Sequence, residues 1–102
     1  MARSRDIYGP VENESDLRRV FREIREDVEQ ASSRPALTEL HRRAGYLITL
    51  TYSPSWSEKL GGEVARLRRV AEEEFGETAH RINERANQIG TDADYSETWG
   101  HA

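Results

Sequence analysis

LGGEVARLRRVAEEEFGETAHRINERANQIG, residues 60–90, is the stretch on which the fold turns. Within it Leu60, Val64, Leu67, Ala71, Phe75, Ala79, Ile82, Ala86 and Ile89 succeed one another at steps of three or four. That spacing puts side chains on one face of a helix. Between Leu67 and Ala79 three steps of four come in a row, the mark of a stutter in a heptad pattern. The S-x-x-E form of Ser55-Trp56-Ser57-Glu58 is a capping box that would open this helix, and Gly90 would close it. Read as continuous, it runs about 34 residues and about 50 Å.

Three glycines oppose that reading, since each costs up to about 1 kcal/mol inside a helix. Gly61-Gly62 would confine regular helix to the residues after it. A break at Gly76 would turn the rod into two helices and the fold into a four-helix bundle. The apolar stripe keeps its phase across Gly76, which favours continuity there.

Upstream, residues 1–14 hold Gly9-Pro10 and no sustained period, and read as an N-terminal arm. Asn13 or Ser15 is a plausible N-cap, followed by Leu17, Val20, Phe21, Ile24, Val28 and Ala31 at helical spacing. Ser32-Ser33-Arg34-Pro35 ends that helix, and Pro35 suits the first turn of the next. The second helix would bury Leu37, Leu40, Ala44, Leu47, Ile48 and Thr51. Its later half, GYLITLTY at 45–52, also alternates as a strand would. A strand needs a partner, and the chain offers only the short DIYGPV near its start. Helix is therefore the favoured reading, ending before Pro54. The expected fold is all-α: two shorter helices followed by one long helix in a domain spanning 15–90, and a tail at 91–102.

Leu, Ile, Val and Phe supply only 19 of the 102 residues, so the core is thin. Two helices of about 18 residues span about 27 Å each and cannot flank a rod of about 50 Å along its whole length. The nine seam residues Leu60 to Ile89 are thus expected to form the interface of a homodimer. The chain has no cysteine, which removes disulfide and thiol chemistry. No apolar run approaches the roughly 18 residues of a membrane span, and MARSRDIYG lacks a leader's apolar core. A soluble cytoplasmic protein is expected.

Candidate chemistry is sparse. Glu77-Thr78-Ala79-His80 has the E-x-x-H form of helical di-iron sites, but the motif occurs once. On an ideal helix its Glu and His point away from the apolar face, so ion pairing such as Glu77 with Arg81 is the better account. Glu72-Glu73-Glu74 fans around the helix instead of converging on a magnesium ion, and Arg68 and Arg69 stand four residues before Glu72 and Glu73. No cofactor is expected, and the balance leans away from an enzyme.

The pairs Arg18-Arg19, Arg42-Arg43 and Arg68-Arg69 fall one per helix. An arginine face of Arg18, Arg22, Arg42, Arg43, Arg68 and Arg69 would suit a nucleic-acid-associated accessory, the alternative reading. Acids at helical spacing, such as Glu23 to Arg19 and Glu39 to Arg43, weaken that footprint. The tail, TDADYSETWGHA, carries Tyr95 and Trp99 among acids. These aromatics either fold back on the bundle or form a docking segment for another protein. The favoured reading is a structural or adaptor protein acting as a homodimer.

Overall fold

The computed structural model describes residues 8–98, and among them it is all-helical. Helix α1 spans Glu14–Gln30, α2 Arg34–Leu50, α3 Pro54–Leu60 and α4 Glu63–Gln88. The passage at 45–52 is helical to Leu50, with Thr51 fully buried as its C-cap.

Local chemistry sets the ends. Asn13 caps α1 by accepting from the Asp16 amide at 2.9 Å. Ser33 caps α2, with Pro35 in the first turn where no amide is needed. α3 begins earlier than the capping box implied: Ser53 is its N-cap, accepting from the Trp56 amide, and Pro54 opens the helix. Proline's fixed φ is already helical, so Pro54 starts α3 where it had been expected only to stop α2. α4 ends in a Schellman turn: Thr91 N–H donates to Ala86 O and Gly90 N–H to Asn87 O, with Gly90 at φ 81°.

The long helix is shorter than the sequence suggested, and its break lies at the double glycine. Gly61 takes φ 58°, a left-handed conformation that ends α3, and the chain re-enters helix at Glu63. Through Gly76 the helix is continuous. At 26 residues α4 is about 39 Å long, against about 25 Å for the 17-residue α1 and α2.

α4 packs against both α1 and α2, which also touch each other, and this is why its buried face is wide. Besides the expected stripe it buries Val70 and Thr78, residues that a single seam leaves out. The main core joins Phe21, Ile24 and Val28 of α1, Leu37, Leu40 and Ile48 of α2, and Phe75, Ala79 and Ile82 of α4. A second cluster of Trp56, Val64 and Leu67 forms where α3 folds over the start of α4, with Val11, Leu50 and Leu60 around it.

Ion pairs tie the same helices together. Glu74 of α4 meets Arg18 at 3.0 Å and Arg25 at 2.8 Å, both from α1. Arg81 of α4 pairs with Glu29 of α1 and, more distantly, with Glu84, in place of the expected Glu77. Helical spacing permitted local partners for Arg25 and Arg81, but the neighbouring helix supplies a carboxylate as well placed.

Residues 8–13 are held to the bundle. Arg19 donates to the carbonyls of Tyr8 (2.7 Å) and Pro10 (3.3 Å). The Tyr8 hydroxyl donates to Asp27 at 2.6 Å and accepts from Arg43 at 3.2 Å.

Candidate interaction site

The nine residues expected to form an interface lie mostly inside the chain's own core. Val64, Leu67, Ala71, Phe75, Ala79, Ile82 and Ala86 are at most 5% exposed, while Leu60 and Ile89 are half-buried. The length argument assumed a rod of about 50 Å. The break at Gly61-Gly62 folds its first turns back as α3, so Trp56 and Leu60 cover Val64 and Leu67. These side chains therefore act first as core.

The arginine face is largely engaged. Arg18 pairs with Glu14 and Glu74, and Arg42 and Arg43 share Glu39. Those two guanidiniums, Arg42's foremost, hold the Glu39 carboxyl below its usual range. Arg68 donates twice to the Thr51 carbonyl, at 3.2 and 3.1 Å. Among the described residues Arg22 and Arg69 have no ion pair. Glu77 and His80 are exposed, and no group of three or more His, Asp or Glu among the described residues could hold a metal ion. None of the described helices is long and apolar enough to cross a membrane.

Two surfaces stand out from this charged background. The first is the C-terminal end of α2. Tyr46 and Tyr52 are 42% and 48% exposed, the exposed large hydrophobics among the described residues. Thr49 lies three residues from each and is exposed too. The Arg68 guanidinium sits 4.1 Å from the centroid of the Tyr52 ring and is fixed there by the Thr51 carbonyl. The sequence did carry a signal for Tyr46: on an ideal helix it points about 160° from Ala44, an aromatic ring on the polar side.

The second surface is the groove between α2 and α4, which holds residues 91–98. Asn83 grips the Tyr95 backbone with both ends of its amide, donating to the carbonyl at 2.8 Å and accepting from the N–H at 2.8 Å. The Tyr95 ring lies 5.1 Å from the His41 ring, which in turn lies 5.2 Å from Phe75. The Tyr95 hydroxyl stands 2.7 Å from that of Thr38 and donates to the Arg34 carbonyl at 3.3 Å. His41 Nε2 is 2.9 Å from the Ser96 carbonyl. Asn83 and then His80 hold the Glu97 carboxyl below its ordinary value, each through a hydrogen bond. Of the two aromatics picked out in the tail, Tyr95 thus packs on the bundle, and Trp99 lies outside the described residues. Nothing in the sequence marks Asn83, an ordinary polar residue one step from the apolar Ile82.

No family model matches the chain, and no curated protein or solved structure matches it.

Proposed function

We propose that this protein is a small helical-bundle adaptor that works by holding protein chains, a second copy of itself among them, and that self-association uses the aromatic end of α2. The observation that carries this reading is the pair of half-exposed tyrosines, Tyr46 and Tyr52, with Arg68 already fixed over one ring. Tyr and Arg are the residue types enriched at the energetic centres of protein interfaces. A guanidinium held in place before binding loses little further rotamer freedom when a partner covers it. A two-fold axis would set the same patch against itself, which is the usual form of a homodimer. The seam along α4 is a poorer candidate because its side chains are already packed. A nucleic-acid role has less behind it, because Arg18, Arg42, Arg43 and Arg68 are occupied with internal partners.

The test is the mass in solution as a function of concentration. The wild-type chain is expected to form dimers, and the double variant Tyr46→Glu with Tyr52→Glu to be monomeric with a similar melting temperature. A wild type that stays monomeric throughout, or a double variant that dimerises equally well, rejects this surface. Salt-sensitive retention of RNA or DNA would instead favour the arginine face.

A further inference from the structure

We infer that the groove between α2 and α4 is a binding site for a peptide segment that carries a tyrosine followed two residues later by an acid, and that the chain's own residues 91–98 are its resident occupant. This goes beyond the self-association proposed above; it uses a different face, and either can fail without the other.

The segment is held the way peptide-binding proteins hold a foreign chain: main-chain hydrogen bonds supply affinity and pockets for individual side chains supply selectivity. At Tyr95, Asn83 reads only backbone, taking both the N–H and the C=O at 2.8 Å. Any extended residue could fill that clamp. Selectivity comes from what surrounds it. His41 offers a ring face 5.1 Å away, and Thr38 with the Arg34 carbonyl engages a phenolic hydroxyl, which phenylalanine lacks. Two residues further on, His80 and Asn83 receive a carboxylate at 3.2 and 3.1 Å. Gly76 leaves the floor low enough for the main chain to lie on α4: a Cβ there would stand 3.2 Å from the Glu97 carbonyl. Groove and segment therefore fit an occupant with tyrosine followed two residues later by an acid.

The resident segment is not welded to the bundle. It follows the Schellman turn at Gly90, its positions are half-exposed or exposed, and beyond its polar contacts only Ala93 and Tyr95 pack against the core. Such contacts contribute modestly each. A tethered occupant competes at an effective concentration of about millimolar, so a partner must outbind it or the tail must first be weakened.

The experiment uses the full chain and a labelled, end-capped peptide of residues 91–98, Thr-Asp-Ala-Asp-Tyr-Ser-Glu-Thr. Tyr95→Ala weakens the resident tail and leaves the groove intact. The peptide is expected to bind this variant at least about tenfold more tightly than the wild type. Adding Asn83→Ala should reverse that gain, and a peptide with alanine for tyrosine, or lysine for its glutamate, should not compete. Equal binding to wild type and Tyr95→Ala, binding indifferent to Asn83→Ala, or equal competition by either altered peptide overturns the proposal. Should Tyr95→Ala fail to fold, the wild type titrated with millimolar peptide decides by NMR. A saturable change at the Asn83 side-chain amide, with the Tyr95 amide moving to its solvent-exposed position, supports it; unmoved resonances overturn it.

Discussion

Tyr8 holds its phenol between a carboxylate and a guanidinium, 2.6 Å from Asp27 and 3.2 Å from Arg43. Burial, and then the hydrogen bond it gives Asp27, push its pKa from 10.0 up to about 12, with Arg43 pulling the other way. A raised value means that the folded state prefers the neutral phenol. Its contribution to stability is therefore complete below pH about 10 and fades as pH climbs through about 12. Alkaline titration followed by phenolate absorbance should show a component near pH 12 that Tyr8→Phe lacks. Superimposable curves at high pH would mean that residues 8–13 do not rest on α1 and α2 as described. No local signal marks this cluster, because its members stand 19 and 16 positions apart in the chain. Asn83 is the same case: its role depends on a segment that returns across the groove.

Among the elements, α2 and α4 were readable because their signals are local. A stripe at helical spacing runs from Leu37 to Thr51, and the strand alternative lacked a partner strand. The phase kept across Gly76 likewise anticipated the continuous helix. Replacing Gly76 tests that helix and the groove together. Alanine inside a helix gains up to about 1 kcal/mol over glycine. Here the new Cβ would press on the Glu97 carbonyl at 3.2 Å, which belongs to a segment able to give by a few tenths of an ångström. Gly76→Ala is therefore expected to raise the melting temperature slightly while faster amide exchange appears at residues 95–98. A lower melting temperature would show that the tail cannot yield and supports the bundle more than its contacts suggest. The start of α3 was less legible: the capping box at Ser55 placed it too late, whereas Ser53 is the cap and Pro54 opens the helix.

For the whole molecule, the question is what covers α4. Leu67 is 2% exposed, packed with Trp56 and Val64 beneath α3. An aspartate there would bury a charge without a partner, a cost of several kcal/mol in a chain whose total stability is about 5–15 kcal/mol. Leu67→Asp should accordingly lower the melting temperature steeply or unfold the protein. A well-folded variant with half the wild-type mass in solution would instead restore the α4 seam as an intermolecular interface. Self-association, where it occurs, is expected to follow Tyr46 and Tyr52, whose replacement leaves the core untouched.

Sequence alone determined the class and much of the plan: helices where apolar residues recur at three and four, a first N-cap at Asn13 or Ser15, a stop at Gly90, and an apolar face that Gly76 does not interrupt. Those features depend on backbone hydrogen bonding and sterics within a few residues, so a short window contains them. Which surfaces meet was decided by tertiary structure. The turn at Gly61-Gly62 sends α3 back over Leu67, α4 needs a face wide enough for two neighbours, and the tail lies on Asn83. Each of these brings together residues far apart in the chain, where burial and charge pairing choose among partners that helical spacing alone leaves equal.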